Sequence, residues 1–122
     1  MAASNDHIRK TIERYIEFMN AADFDSIAEL YSQDATLEDP VGTEPRKGRE
    51  AIRKFYADAV GNVTLKLTGK PRVSAGQVAF PLHATIGGMQ SLEIIDVMVF
   101  NDDGLITSMR AFFSSDEFQP EA

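Results

Sequence analysis

The segment Leu92-Glu93-Ile94-Ile95-Asp96-Val97-Met98-Val99-Phe100 predicts a β-strand, because β-branched and other apolar residues dominate it and turn residues lie at both ends. Side chains alternate between the two faces of a strand, so Asp96 shares its face with apolar neighbours only. These neighbours are Leu92, Ile94, Met98 and Phe100. A lone carboxyl group there must reach solvent, meet a cation, or take up a proton and stay neutral. A neutral Asp96 would be a hydrogen-bond donor at neutral pH.

Further strands lie on both sides of this segment. Runs rich in β-branched and aromatic residues predict strands over residues 63–68, 72–74, 77–86 and 105–113. Turn residues separate them, and several of the turns, such as Ala75-Gly76 and Gly87-Gly88, are typical of β-hairpins. The second half of the chain therefore predicts a largely antiparallel sheet.

Three helices are predicted before this sheet. Apolar residues recur at helical spacing over residues 8–19, and Ser4, Asn5 or Asp6 can cap the start of this first helix. It is expected to end near residues 20–21. Asp23 or Asp25 begins a second, shorter helix. Its buried side is predicted to hold Ile27, Ala28, Leu30 and Tyr31. A third helix begins at residues 48–50.

Helices followed by an antiparallel or mixed sheet predict one α+β domain over residues 1–122, with the three helices packed on one face of a curved sheet. The other face of the central strand is also apolar, at Ile95, Val97 and Val99. Because the helices cover only one face, we expect a second subunit on the other, and hence a homodimer. The polar, acidic residues 115–122 are expected to fray.

Composition excludes several classes of function. The net charge is −7 and no basic cluster is present, which disfavours nucleic acid and anionic membranes as partners. There are no cysteines, so disulfides and thiolate metal sites are absent. The N-terminus lacks the pattern of a signal peptide, and no apolar run approaches the roughly 20 residues that span a bilayer. We expect a cytoplasmic protein.

Three polar residues can line one cavity if the helices close over a concave sheet. Tyr15 lies on the buried stripe of the first helix, Asp39 ends a short extended segment before Pro40, and Asp96 lies in mid-strand. Such a cavity suits an apolar ligand with one polar end. Its candidate walls are Phe55, Phe80, Leu82, Leu92, Ile94, Met98, Met109 and Phe113.

Each of the three residues also has a purely structural interpretation. Asp39 before Pro40 is typical of a turn carboxylate that accepts from nearby backbone amides, and Tyr15 is typical of core packing. Both faces of the strand are apolar, so Asp96 could also lie on the outer face, where it would form a salt bridge or contact a second subunit. His7 and His83 have no second ligand nearby in sequence, so no metal site is predicted.

Three segments resemble the bacterial Δ5-3-ketosteroid isomerases. They are Tyr31-Ser32-Gln33-Asp34-Ala35-Thr36-Leu37-Glu38-Asp39-Pro40-Val41-Gly42, Gly48-Arg49-Glu50-Ala51-Ile52-Arg53-Lys54-Phe55-Tyr56 and Ile95-Asp96-Val97-Met98-Val99-Phe100. The resemblance extends from about residue 14 to residue 113. It implies the cone of helices and curved sheet, enclosing an apolar pocket, that is also found in nuclear transport factor proteins, and it implies a homodimer.

The resemblance also implies roles for individual residues. Tyr15 and a protonated Asp96 match the oxyanion hole, and Asp39 matches the aspartate that moves the proton as general base and acid. Tyr31 and Tyr56 match two tyrosines that, in some members, extend a hydrogen-bonded chain to the oxyanion tyrosine. Positions that match the pocket wall are Met19, Phe55, Leu82, Leu92 and Ile94, and Phe113 falls where members carry a large aromatic residue.

The implied reaction moves a carbon–carbon double bond of a 3-oxosteroid into conjugation with its carbonyl group, through a dienolate and without metal or organic cofactor. Two other functions suit the same sequence. One is a different chemistry on the same fold, such as that of a polyketide cyclase or an epoxide hydrolase. The other is a non-catalytic, dimeric module that binds a hydrophobic ligand.

Overall fold

In a computed structural model, which describes residues 2–121, three helices pack against one face of a curved, unclosed β-sheet. The helices are α1 (Asn5–Asn20), α2 (Phe24–Glu29) and α3 (Arg49–Ala59). The strands are β1 (Tyr31–Glu38), β2 (Arg46–Lys47), β3 (Val63–Leu67), β4 (Arg72–Ser74), β5 (Gln77–Ile86), β6 (Gln90–Phe100), β7 (Ile106–Phe112) and β8 (Gln119–Pro120). The predicted α+β class is confirmed.

The first two helices begin where the sequence places capping residues. The Ser4 side chain accepts from the His7 backbone N–H at the start of α1, and the Asp23 side chain accepts from Ser26 at the start of α2. The prediction that Leu30 and Tyr31 extend α2 is wrong. The Leu30 carbonyl accepts from the Ile106 N–H at 2.9 Å, and Tyr31 pairs with the same residue, so contact with β7 turns the chain into β1 at this point.

Strand order in the sheet is β2-β1-β7-β6-β5-β3, with β4 also paired to β5 and β8 to β6. The pairs are antiparallel except that of β1 with β7, which is parallel and brings the first strand of the chain beside the last long one. The core lies between the helices and the concave face of the sheet, and it includes Ile12, Ile52 and Met98. The predicted face of β6 is confirmed, because Leu92, Asp96, Met98 and Phe100 are buried whereas Ile95 is half exposed.

The C-terminal segment is described as far as residue 121, and Ala122 lies outside the described residues; the fraying expected over residues 115–122 stays a prediction. A single 3-10 turn at Ser115–Glu117 leads into β8, which pairs with the start of β6. This pairing is available because β7 ends at Phe112, opposite Ile95, and leaves the edge of β6 free beyond that point. No helix among residues 2–121 is long and apolar enough to cross a bilayer.

Candidate active site

Asp96 lies on the concave face of β6 and is only 3% exposed. Its cross-strand neighbours are Phe80 on β5 and Ala111 on β7, and neither supplies a cation. Within residues 2–121 its carboxyl group makes no ion pair and no side-chain hydrogen bond to the protein. Burial, and secondarily the charge of Asp39, raise the pKa of Asp96 well above its ordinary value. Both causes favour the neutral carboxyl group.

Asp39 follows β1 and lies on the same face of the sheet. Because β1 runs parallel to β7 with Glu38 level with Arg110, Asp39 comes level with Ala111. The backbone N–H of Val41 donates to the carbonyl of Ala111 at 2.8 Å and holds this turn in place. With strands about 4.8 Å apart, the backbones of Asp39 and Asp96 are on the order of 10 Å apart, with Ala111 between them. The small alanine side chain leaves space between the two carboxyl groups.

The environment of Asp39 differs from that of Asp96 in one respect, which is a nearby cation. Burial raises the pKa of Asp39 to about 6, and the opposing effect comes from the guanidinium group of Arg46. That guanidinium lies 4.9 Å from the ring centroid of Phe55, which lines the cavity. Asp39 is therefore the carboxyl group that is ionised above a pH of about 6, in contrast to Asp96.

Tyr15 extends from α1 over the ring of Phe80, at a centroid distance of 6.3 Å and near-perpendicular geometry. Since Phe80 is the register partner of Asp96, the tyrosine and the aspartate lie side by side. Burial, the largest cause, raises the pKa of Tyr15 well above its ordinary value, so its hydroxyl group keeps its proton at neutral pH.

The three tyrosines form a hydrogen-bonded chain. The Tyr56 hydroxyl donates to the Tyr15 hydroxyl at 3.3 Å, and the Tyr31 and Tyr56 hydroxyls are 2.6 Å apart. All three side chains are buried. Because Tyr15 accepts from Tyr56, its own proton is free to be donated into the cavity.

These groups line a cavity of about 270 Å³, close to the lower end of the usual range for small-ligand pockets. The polar groups are Tyr15, Tyr56, Asp39 and Asp96; the rest of the lining is apolar. Of the predicted walls, the structure places in the lining Met19, Phe55, Leu82, Leu92, Ile94 and Phe113.

Three predicted wall residues lie in the packed core and do not line the cavity. These residues are Phe80, Met98 and Met109. The ring of Tyr15 packs on Phe80. Met98 is the register partner of Met109 and lies two positions beyond Asp96 along β6, where the helices pack directly on the sheet. Sequence alternation identifies the face of a strand correctly, but it carries no information about where along the strand the cavity ends.

Sequence reasoning missed further lining residues, namely Ala59, Val60, Val63, Leu65, Ala84, Ile86 and Phe118. Most had a signal in the sequence. Ala84 and Ile86 follow Leu82 at the two-residue spacing of one strand face, and Val60 continues the buried stripe of α3. Phe118 had none, because it lies in a polar segment. No group of three or more His, Asp or Glu within residues 2–121 is arranged to hold a metal ion.

Comparison with known proteins gives several similarities. Residues 12–109 match the family of SnoaL-like domains. A steroid Delta-isomerase from Nocardioides simplex is 42% identical over 111 residues, which make up 88% of this chain and 89% of that protein.

Two further relatives carry other descriptions. Epoxide hydrolase LasB from Streptomyces lasalocidi is 28% identical over 116 residues, and the match covers 87% of this chain but only 41% of LasB. The solved structure of SalBIII, described as an epoxide hydrolase/cyclase-like enzyme in pyran ring formation in polyether salinomycin, superimposes with a TM-score of 0.86 at 28% identity. That superposition covers 96% of this chain and 98% of the other.

Proposed function

This chain belongs to the SnoaL-like domain family and is a homologue of the steroid Δ-isomerases, and we propose that it converts Δ5-3-ketosteroids into conjugated Δ4-3-ketosteroids. In this proposal Asp39 is the general base and acid. Tyr15 and protonated Asp96 donate hydrogen bonds to the steroid carbonyl oxygen, and Tyr31 and Tyr56 support Tyr15.

One observation carries the proposal: two carboxyl groups face one apolar cavity, and their surroundings separate their protonation states. Asp39 has a pKa of about 6 and a cation nearby, so it is an ionised base at neutral pH. Asp96 has apolar neighbours and a pKa raised well above its ordinary value, so it is a donor. An apolar ligand whose polar end is a ketone fits this arrangement.

The reaction follows from these protonation states. Ionised Asp39 takes a proton from the carbon between the carbonyl group and the alkene, and the electron pair of that C–H bond enters the conjugated system as the dienolate forms. Asp39 then returns the proton to the far alkene carbon, which restores the carbonyl group and leaves the double bond in conjugation. Substrate and product are isomers, so no other reactant is consumed.

Tyr15 and Asp96 act on the charge that develops on the carbonyl oxygen. A hydrogen bond from a neutral donor to an oxyanion is stronger than one to a ketone, so the pair stabilises the dienolate more than the substrate. Loss of one such donor typically lowers kcat by about 10²–10³-fold. The donors are already in position and shielded from water, which avoids reorganisation during the reaction.

The same proposal includes a homodimer formed through the outer face of the sheet. Ile95 and Phe112 are register partners on that face and are 50% and 42% exposed. Val97 and Val99 continue the apolar surface along β6. No helix covers this face, so the four apolar side chains together favour contact with a second copy of the protein.

The experiment is a direct assay with 5-androstene-3,17-dione, in which the conjugated enone product is followed by its ultraviolet absorbance. We expect an increase far above the buffer rate for the purified protein and a loss of most of it in Tyr15→Phe. If the absorbance of the enone rises no faster than in buffer alone, the proposal is contradicted.

A second candidate is the opening of an epoxide, which the similarity to LasB and SalBIII favours. An ionised Asp39 and a neutral Asp96 would supply a base for the attacking hydroxyl group and an acid for the epoxide oxygen. This scheme does not require the tyrosine chain. Full epoxide-opening activity in Tyr15→Phe, together with no enone formation by the wild-type protein, would favour this candidate over the isomerase.

A further inference from the structure

The C-terminal segment, residues 114–121, contributes one side chain to the cavity. The segment is otherwise polar and exposed, but Phe118 is half-buried and lines the cavity. Its ring meets that of Phe113 edge to face, at a centroid distance of 6.0 Å and an angle of 89°. Phe118 is therefore the side chain through which this polar segment forms part of the cavity wall.

Backbone contacts hold this segment against the sheet. β8 pairs with β6, with Gln119 opposite Ser91, and the Glu121 N–H donates to the carbonyl of Met89 at 2.9 Å. Within the segment, the Glu117 side chain accepts from the Ser114 backbone N–H at 2.6 Å. Phe118 thus lies between the 3-10 turn at Ser115–Glu117 and β8.

A side-chain contact on the outer face of the sheet adds to this anchoring. His83 of β5 lies between two carboxylates: its Nδ1 contacts Glu93 on β6, and its Nε2 is 3.4 Å from Glu121. The segment therefore contacts the sheet on both sides, through Phe118 on the cavity side and through Glu121 on the outer side.

The position of Phe118 along the cavity follows from the strand register. Gln119 is opposite Ser91, so Phe118 lies near the level of Leu92. Leu92 is four residues from Asp96, and a strand rises about 3.3 Å per residue, which separates the two levels by roughly 13 Å. A ligand whose carbonyl group reaches Asp96 and Tyr15 would present its opposite end to Phe118.

We propose that Phe118 is a specificity-determining residue that contacts the end of the ligand opposite the reacting carbonyl group, and that residues 114–121 limit the length of ligand that the cavity accepts. The choice of a steroid as ligand rests on the proposed function. The placement of Phe118 rests on the fold alone.

The test compares Phe118→Ala with wild type on two substrates that differ at that end, 5-androstene-3,17-dione and 5-pregnene-3,20-dione, which carries a two-carbon side chain. Removing the ring should raise KM for the shorter steroid about tenfold, with kcat within about twofold of wild type. The kcat/KM ratio of the longer to the shorter steroid should rise by about tenfold. An unchanged ratio would overturn the inference.

Two variants serve as controls. Met89→Ala removes an exposed apolar side chain that neighbours the segment but does not line the main cavity, and it should leave the ratio unchanged. Glu121→Gln keeps the ring but weakens its outer anchor. It should raise KM for the shorter steroid less than Phe118→Ala does, with kcat unchanged; a loss of kcat alone would contradict the anchoring role.

Equilibrium binding separates a failure of this inference from a failure of the proposed function. Dissociation constants are measured for the products 4-androstene-3,17-dione and 4-pregnene-3,20-dione, which need no turnover. If wild type binds them without isomerase activity and Phe118→Ala shifts their relative affinity, the proposed function fails and the inference stands. Turnover with unaltered selectivity in the variant overturns the inference alone. If wild type binds neither steroid, both fail.

Discussion

Asp39 and Asp96 illustrate how two identical side chains in one cavity obtain different protonation states. Burial raises the pKa of both. Only Asp39 has a cation near enough to oppose this effect, Arg46, and once Asp39 is ionised its charge further disfavours ionisation of Asp96. The two groups therefore titrate in order, which supports the proposal that Asp39 is the base and Asp96 the donor.

The first prediction concerns Arg46→Gln. Loss of the cation should raise the pKa of Asp39 above about 6 and move the acid limb of the kcat/KM–pH profile to higher pH, while the plateau at higher pH changes little. Steady-state kinetics between pH 4.5 and about 9 measures this. Arg53→Gln is the matched control, because Arg53 pairs at 3.5 Å with Asp25, which does not line the cavity. Identical midpoints in all three proteins would contradict the assignment.

The second prediction concerns stability in Asp96→Asn. A carboxyl group whose folded-state pKa is raised binds more protons in the folded than in the unfolded protein, so its contribution to stability falls as pH rises above about 4. Asparagine is neutral at every pH, so its contribution to stability does not fall as the pH rises. The Tm of Asp96→Asn relative to wild type should therefore increase from pH 5 to pH 9, as measured by thermal unfolding. A difference that stays constant or declines over this range would mean that Asp96 is not the neutral group inferred.

At the scale of elements, the three tyrosines link α1, α3 and β1 through their hydroxyl groups. The sequence identifies Tyr31 and Tyr56 as partners of Tyr15 only through resemblance to a family. Whether the three form one hydrogen-bonded chain depends on how the elements pack. In the structure the Tyr31 and Tyr56 hydroxyls are 2.6 Å apart, and the Tyr56 and Tyr15 hydroxyls are 3.3 Å apart. Long-range geometry of this kind is not encoded in local periodicity.

The third prediction follows from the order of the three tyrosines in this hydrogen-bonded chain, which is Tyr15, Tyr56 and Tyr31 from the cavity outward. Tyr56→Phe removes the donor to Tyr15 and should lower kcat, but by less than Tyr15→Phe, for which about 10²–10³-fold is expected. Tyr31→Phe is one step further from the cavity and should have the smallest effect. Steady-state kcat values for the three variants give the order. A larger loss in Tyr31→Phe than in Tyr56→Phe would contradict it.

Element boundaries could be predicted where local signals dominate. Ser4 and Asp23 begin the first two helices through side-chain caps, and the alternation in β6 identifies its buried face. Local signals were insufficient where a distant strand decides: pairing with β7 places Tyr31 in β1 and not in α2, and residues 119–120 pair with the free edge of β6 without a signal in the sequence. Both require knowledge of the sheet order.

For the whole molecule, the class of fold and one end of the cavity could be predicted from sequence, whereas the dimensions of the cavity could not. Tyr15 and Asp96 can be placed together because each lies on the buried side of its own element, and Asp39 can be added because it ends the first strand. Met98 and Met109 also lie on the buried side, but they are packed beneath the cavity and do not line it. The limit of the cavity depends on how closely three helices approach a curved sheet, and that depends on packing of the entire core.

The fourth prediction concerns assembly. If the outer face of the sheet forms a dimer, Ile95→Lys should place a charge in the interface and yield monomers, with Met89→Lys as an exposed apolar control that remains dimeric. Sedimentation velocity at micromolar concentration measures the two states. A monomeric wild-type protein would contradict the dimer without affecting the assignment of the active site.

The central claim, that Asp39 moves the proton in a steroid isomerisation, is tested most directly by the rate of enone formation from 5-androstene-3,17-dione in Asp39→Asn. The amide has the shape of the carboxylate but cannot accept the proton, so kcat should fall by about 10²–10⁴-fold. Glu38→Gln, next in sequence and on the opposite face of β1, should keep the wild-type rate. An undiminished rate in Asp39→Asn would contradict the account.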